Sequence, residues 1–163
     1  MFHHILVCID GSAHADRALS EAIDLASAEN GRLTILTAIA RPPYWACTPE
    51  TAGGIESLFN DLKREAETTL RSAVDRVPAD IPVTTILSLK PIREVLLEQV
   101  RSGRHDLVVM GSRGRGALSA SFLGSVSHFA LNHSHVPVLI VHAETDRELN
   151  AAADGEPPVV AAA

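Results

Sequence analysis

The sequence predicts a single α/β domain built on a doubly wound, five-stranded parallel sheet with helices on both faces. Three observations support this fold class. Short apolar segments alternate with longer amphipathic ones in the order βαβαβαβαβ. The apolar segments are almost continuously hydrophobic, as is typical of strands that helices cover on both faces. The 163 residues, 46% of them hydrophobic, suffice for one domain with a substantial core.

The first predicted strand and helix meet at a short polar turn. Residues 3–9, HHILVCI, are predicted to form an apolar strand, and the turn residues Asp10-Gly11-Ser12 end it. Apolar side chains then recur at helical spacing from Ala15 to Ala26. Ser12 is the expected N-cap of this helix, and Asn30-Gly31 its stop.

The remaining elements follow from the same signals. Pro, Gly and polar residues predict a loop over 41–54, and a long amphipathic helix with a charged, solvated face follows over 55–77. Pro91 falls in the first turn of a third helix, a position that needs no N–H. The last helix begins near Gly124-Ser125 and ends near Asn132. The other predicted elements are the strands 32–40, 83–89, 106–110 and 136–141 and the helix 91–103.

Most of the formal net charge of −6 lies at the C-terminus. Residues 143–163 hold five acids and one base, so the first 142 residues carry only −2. No basic stripe appears, which argues against a nucleic-acid surface. We therefore expect one domain over residues 1–143 and a loosely held, acidic, Ala- and Pro-rich tail over 144–163.

The composition also favours a cytoplasmic protein. No apolar run approaches the roughly 18 residues of a membrane span, so none is expected. The start MFHHILVCIDGS lacks the basic segment of a signal peptide. Cys8 and Cys47 are too few for a disulfide framework, and reduced thiols are expected.

A glycine-rich segment follows the predicted strand 106–110. Two residues separate Gly111 from Gly114, and nine more separate Gly114 from Gly124-Ser125 at the start of the last helix. In doubly wound sheets, ligands bind at the carboxyl ends of strands where the winding reverses. Asp10 and the glycine segment both follow such ends, so we expect a binding site there.

Two common phosphate loops do not fit this segment. A Walker loop needs Gly-x4-Gly-Lys-Ser/Thr, and Gly111 and Gly116 have that spacing, but Ala117 stands where the lysine is required. A dinucleotide fingerprint needs Gly-x-Gly-x-x-Gly after the first strand of its unit. The segment from Gly114 ends in Ser119 and follows the fourth strand instead.

Elementary chemistry still favours an anion at this place. Glycines at 111 and 114 let the backbone approach a ligand and adopt positive φ where required. The free N–H groups and the dipole at the N-terminus of the last helix form an anion site, to which the Ser125 hydroxyl adds a donor. We expect the nine-residue excursion to return Gly124 to the side of Gly111, so that two stretches of backbone enclose a polyphosphate.

Over about residues 3–142 the chain resembles the nucleotide-binding branch of the universal stress protein family. The resemblance rests on the opening strand that ends in CIDGS, on the pattern Gly-x2-Gly-x9-Gly-Ser from Gly111, and on the closing PVLIV. It implies a Rossmann-like fold of the adenine nucleotide alpha hydrolase type. It also implies binding of ATP, with Mg or Mn on the phosphates.

The resemblance gives each part of the site an expected role. Asp10 is expected at the edge of the ribose, with Gly111, just after Met110, near the ribose itself. Backbone groups near Ala38 and Ile39 are expected to bind the adenine. The phosphates are expected among the backbones of Gly114, Gly124, Ser125 and Val126. Two positions depart from the family pattern, since Cys8 stands where many ATP-binding members have proline and Ala38 where valine is common.

Plainer interpretations stay open for several of these residues. The glycines alone are compatible with a tight turn that holds no ligand. Asp10 fits an Asx turn or helix cap, which is compatible with binding. Arg113 and Arg115 are either phosphate ligands or a solvated rim. Three further assignments stay open. Tyr44 and Trp45 either form part of a lid over the ligand or take part in local packing or a dimer contact, and Ser119 and Ser121 either accept a phosphate in an autophosphorylation reaction or lie in a solvated loop. The alternatives of a metal site and of surface or interface positions concern four histidines: His128, His133, His135 and His142.

The function predicted from the sequence is that of an ATP-binding, homodimeric stress-response factor that regulates a protein partner. The edge strand HVPVLIVH is apolar, and an exposed apolar edge tends to pair. The resemblance implies that strand 5 pairs with its two-fold mate. The alternatives are a nucleotide-free interaction module of the same fold and a slow ATPase or autophosphorylating enzyme.

Overall fold

The structure is a computed structural model that describes residues 1–41, 52–115 and 123–143, with the side chain of residue 52 also left out. Nine elements alternate along these parts of the chain, in the predicted order. They are β1 (His4–Cys8), α1 (Ala13–Glu29), β2 (Arg32–Ala38), α2 (Ala52–Asp75), β3 (Val83–Ser88), α3 (Ile92–Arg101), β4 (Leu107–Gly111), α4 (Ser125–His133) and β5 (Val138–Val141).

The five strands form one parallel sheet in the order β3-β2-β1-β4-β5. β1 is central, with Ile5 in register with Leu33 of β2 and with Leu107 of β4. The chain winds outward from β1 to β3, crosses to β4 and continues to β5. This topology confirms the doubly wound fold class, and it places β3 and β5 at the two edges.

Alternate residues of the central strand enter two separate cores. Ile5 and Val7 join the core under α1 and α2, the first face. Leu6 and Cys8 join the core under α3 and α4, the second face. All four side chains are at most 8% exposed, which explains why β1 is apolar at four consecutive positions after His4 and not only at alternate ones.

The caps of α1 are those that the sequence predicts. The Ser12 hydroxyl oxygen accepts a hydrogen bond from the Ala15 N–H (3.3 Å), which satisfies one of the free donors of the first turn. Asn30 ends the helix in the left-handed conformation (φ 50°), as asparagine tolerates. Pro91 stands one residue before α3 as its N-cap, where its missing N–H costs nothing.

Several boundaries differ from the prediction by one to three residues, and two of the differences have identifiable reasons. α2 begins at Ala52, so Gly53 and Gly54 lie in its first turn instead of the predicted loop. Because glycine has a low helix propensity, the sequence pattern predicts that α2 begins after these two residues. β5 begins at Val138 and not at 136, although the Pro137 carbonyl already accepts from the Val108 N–H (3.0 Å), because proline has no N–H to donate in return.

Some sequence expectations fall outside the described residues. They concern Tyr44, Trp45, Ser119, Ser121 and the tail 144–163. Within the described ranges, no helix is both long and apolar enough to cross a membrane.

Candidate functional site

The candidate site lies where β1 and β4 end side by side in the middle of the sheet. The two strands are neighbours, with Cys8 in register with Met110. After β1 the chain enters α1 on the first face, and after β4 it goes to α4 on the second face. The diverging connections open a crevice at this edge, which is where parallel sheets of this type hold ligands.

The Asp10 carboxylate joins the two connections. Its Oδ1 accepts from the Ser12 N–H (3.0 Å), an Asx turn that leads into α1. Its Oδ2 accepts from the Arg115 N–H (3.0 Å), in the segment after β4. The Asx-turn interpretation of Asp10 is therefore correct, and the same side chain also fixes the glycine segment against β1.

Close approach within the protein accounts for glycine at 111 and 114. A Cβ at Gly111 would lie 2.7 Å from the carbonyl carbon of His14, so the first turn of α1 rests on this residue. A Cβ at Gly114 would lie 2.5 Å from Asp10 Oδ2. Positive φ, the other reason that the sequence offers for glycine, occurs at neither position, since the left-handed glycines of the described chain are Gly11 (φ 77°) and Gly103 (φ 67°).

The N-terminus of α4 is attached to the segment after β4. The Gly124 N–H donates to the Ser112 carbonyl (2.6 Å), and the Ser127 hydroxyl donates to the Gly111 carbonyl (2.8 Å). Gly124 is the N-cap and supplies no side-chain cap. The nine-residue excursion thus returns Gly124 to the side of Gly111, as predicted. The N–H groups of the first turn have no partner within the helix, and no side chain of the described residues caps them.

The two arginines of the segment differ in their surroundings. Arg115 directs its guanidinium to Glu65 on α2, with 2.6 Å between Nη2 and Oε1. This hydrogen bond lowers the pKa of the Glu65 carboxyl, so the pair is ionised at neutral pH. Arg113 has a buried Nε without a hydrogen-bond partner in the part of the chain that the structure describes. Its Cα would lie 3.5 Å from a Cβ at Gly124, beside the start of α4.

The end of β2 offers less backbone than the sequence suggests. The Ile39 N–H already donates to the Ser88 carbonyl of β3 (2.8 Å), so this donor belongs to the sheet. Ala38 packs against the second core. Met110 is 4% exposed within the same core, so its side chain supports the site from below and does not line it. On α4, Val126 also packs into this core, whereas Ser125 is exposed.

Comparison with known proteins assigns this arrangement to a family. The sequence profile described as the universal stress protein family matches residues 1–142. The chain belongs to this family. The match covers every strand and helix described above.

Two curated universal stress proteins illustrate the relationship. One from Thermus aquaticus is 34% identical over 142 residues, which cover 86% of this chain and 99% of the relative. YxiE from Bacillus subtilis is 33% identical over 149 residues, covering 86% of this chain and 99% of its own.

Solved structures share the fold. Universal stress protein UspA from Lactobacillus plantarum has a TM-score of 0.74 at 21% identity, covering 85% of this chain and 97% of that one. A universal stress protein in complex with cAMP has a TM-score of 0.54 at 26% identity, covering 88% and 98%. A family protein from Arabidopsis thaliana with AMP bound has a TM-score of 0.61 at 17% identity, covering 88% and 94%.

Cys8 lies at the end of β1, two residues before Asp10, at the position where the sequence resemblance implies proline in many ATP-binding universal stress proteins. The thiol is 8% exposed, and burial, with the Asp10 carboxylate as a second cause, raises its pKa to about 12. The side chain is therefore a neutral thiol at physiological pH, and it acts as a small apolar residue of the second core.

Sequence reasoning missed three residues that hold this universal stress protein site together: His14, Ser112 and Ser127. His14 Nδ1 accepts from the Ala143 N–H (2.7 Å), just beyond β5, and lies 3.2 Å from the Ser112 hydroxyl. Ser112 is fully buried and Ser127 is 3% exposed. Nothing in a single sequence separates such buried serines from exposed ones, although each stands next to a residue of the recognised pattern.

The histidines considered for a metal site have separate surroundings. His133 stacks on Phe129 with 4.2 Å between ring centroids, and His128 is paired with Asn132 on α4. His142 instead meets His14 edge-on, with 6.5 Å between centroids. Among the described residues, no three His, Cys, Asp or Glu side chains come together in a way that would hold a metal ion.

Proposed function

We propose that this universal stress protein binds ATP as a homodimer and acts as a nucleotide-dependent regulatory factor in stress responses. The observation that carries the proposal is the uncapped start of α4, held against the segment after β4 by the 2.6 Å bond from the Gly124 N–H to the Ser112 carbonyl. Two stretches of backbone thereby meet at the positive end of a nine-residue helix, an arrangement suited to phosphate.

The residues present fit a polyphosphate. The N–H groups of Ser125 and Val126 lie in the first turn of α4 and need acceptors. The exposed Ser125 hydroxyl adds a donor, and the unpartnered Nε of Arg113 marks a cation beside the same turn. Anionic oxygens would accept from all these donors in strong, charge-assisted hydrogen bonds and would also balance the arginine charge, which neutral oxygen acceptors would not do.

The nucleoside half is proposed to extend from Asp10 toward the end of β2. Both Asp10 oxygens already accept backbone N–H groups, but each carboxylate oxygen has a second acceptor position for a ribose hydroxyl. At Ile39 the recognition of adenine would use the carbonyl oxygen, because the Ile39 N–H is bound to the Ser88 carbonyl. At Ala38 the backbone would contribute as the sequence predicts. The cAMP complex of a relative at 26% identity supports an adenine nucleotide as the ligand class.

A divalent cation, Mg or Mn, is proposed to accompany ATP. Since the described residues form no cluster of three metal ligands, the phosphate oxygens and water would supply most of its coordination. The cation would neutralise phosphate charge. We therefore expect ATP affinity to depend on it more than AMP affinity does.

The homodimer is proposed to form through β5. This strand is an edge of the sheet, and Leu139 on it and Leu131 on α4 are 37% and 47% exposed. Pairing of two β5 strands would satisfy the open edge and cover this apolar surface. Nucleotide occupancy would then change the order of the site and, with it, the binding of a regulatory protein partner.

The direct test is to identify the ligand. Native mass spectrometry of the purified protein is expected to show dimers that carry an adenine nucleotide. Calorimetry on stripped protein is expected to give tighter binding for ATP with Mg than for GTP with Mg. Equal weak responses to both nucleotides would contradict the proposal.

The second candidate is a nucleotide-free interaction module, and one observation favours it. Gly111 and Gly114 are explained by contacts to His14 and Asp10 inside the protein, without any ligand. This candidate predicts a folded dimer that carries no nucleotide. A slow ATPase or autophosphorylating enzyme, the third possibility, predicts Mg-dependent ADP release or a phosphorylated chain in the same spectra.

A further inference from the structure

Arg115 connects the glycine segment to a helix outside the candidate site. Its backbone N–H is bound to Asp10, but its guanidinium lies 2.6 Å from Glu65 on α2, 50 residues away in the sequence. On the way it passes Gly11, where a Cβ would lie 3.1 Å from Nη2. The side chain thus ends in a polar cleft between α1 and α2, on the first face.

The proposed phosphate position is on the other side of this segment. α4 packs on the second face, and its N-cap Gly124 approaches the backbone of Arg113 and Gly114, the residues just before Arg115. A long cationic side chain one residue from the phosphate-facing backbone is therefore turned away from the phosphates. Glu65 is the carboxylate that pairs with it there.

We propose that Glu65 is a positioning residue that holds Arg115 away from the phosphates and thereby limits the affinity for polyphosphate. The inference rests on the proposed function. Both side chains are about half exposed, at 48% and 51%, so the ion pair is weak enough for phosphate to compete with it.

A purely structural role for the pair predicts the opposite sign. If Glu65 mainly kept the segment in a binding-competent shape, its removal would loosen the segment and weaken every nucleotide. Under our proposal, removal of the Glu65 carboxylate frees the Arg115 guanidinium to bind phosphate. Only ligands that carry phosphates then bind more tightly. The direction of the change therefore separates the two roles.

The experiment is calorimetry on the full chain with ATP, and with adenosine as the ligand without phosphates. Glu65→Gln is expected to tighten ATP binding by about three- to fivefold, the effect of one exposed ion pair. The gain should shrink at high salt, and adenosine affinity should not change. Glu67→Gln is the matched control, because Glu67 is on the same helix and pairs with Lys63 (3.9 Å) instead.

Arg115→Ala completes the cycle. The double variant Glu65→Gln/Arg115→Ala is expected to bind ATP like Arg115→Ala alone, because Glu65 acts through Arg115. The proposal is overturned if Glu65→Gln binds ATP as the parent does or more weakly, or if its gain survives in the Arg115→Ala background. If the proposed function is wrong, neither the parent nor any variant binds ATP, and that result contradicts both proposals. It is distinguishable from the outcomes above, in which the parent binds ATP.

Discussion

At the scale of single residues, His14 makes the site sensitive to pH. Its Nδ1 accepts the Ala143 N–H, so the neutral ring carries its proton on Nε2. Burial, then the nearby charges of Arg113 and His142, lowers its pKa. The unfolded chain binds this proton more readily, so the stabilisation is present above the ordinary histidine pKa and is lost as pH falls toward the folded value. Chemical denaturation is expected to show lower stability at pH 5 than at pH 7, by less than about 1 kcal/mol, because the ring is only partly buried and solvent screens its charge.

The control replaces the titrating group and keeps the acceptor. Asn at position 14 offers an oxygen near the place of Nδ1 but cannot be protonated there. His105 also has a pKa lowered by burial and contributes to the same pH range, so the informative quantity is the difference between parent and His14→Asn. Parallel stability curves for the two proteins would show that His14 does not titrate in this way.

At the scale of elements, α4 carries the strongest prediction for the proposed ATP site. Gly124→Asp places a carboxylate that caps the first-turn N–H groups itself and repels phosphate. Two charges about 4 Å apart repel by about 4 kcal/mol at an effective dielectric constant of 20, so ATP affinity should fall at least about 100-fold. Calorimetry measures the affinity, and thermal melting should show a fold at least as stable.

Gly124→Ala isolates the charge in that experiment. A Cβ at Gly124 would lie 3.4 Å from the Ser112 carbonyl oxygen, an ordinary contact, so alanine is expected to fit and to retain most of the ATP affinity. An Asp variant that binds ATP like the Ala variant would mean that no phosphate lies at the start of α4.

At the scale of the whole molecule, the proposed homodimer depends on the edge strand β5. Leu139→Asp is expected to convert the proposed dimer to monomers. A charge inside the paired edge would be buried without a partner, which destabilises the interface by about 3–5 kcal/mol. Val138 and Ile140 are poorer positions for this test, since they pack against the second core of the monomer. Light scattering measures the outcome. Leu58→Asp on α2, 62% exposed, is the control that should leave the mass unchanged.

The fold was predictable from the sequence because hydrophobic periodicity is local, and the caps Ser12 and Asn30 are local signals too. The return of Gly124 to the strand end was predictable from the topology of parallel sheets. The roles of Ala38, Met110 and Arg115 at a nucleotide stay predictions. What the sequence did not reveal depends on distant partners, such as Glu65 for Arg115 and Ala143 for His14. The reason for glycine at 111 and 114 was wrong in part, because a spacing pattern does not distinguish positive φ from close contact.

The Asp10 carboxylate has a consequence for how the molecule moves. It accepts one N–H from the turn after β1 and one from the segment after β4, so the amides of Ser12 and Arg115 share a single acceptor group. Opening either connection by rotating that carboxylate exposes both amides at once. In hydrogen exchange the two positions, distant in sequence, should therefore behave as one cooperative unit, and their exchange rates should rise together when residue 10 is replaced by alanine.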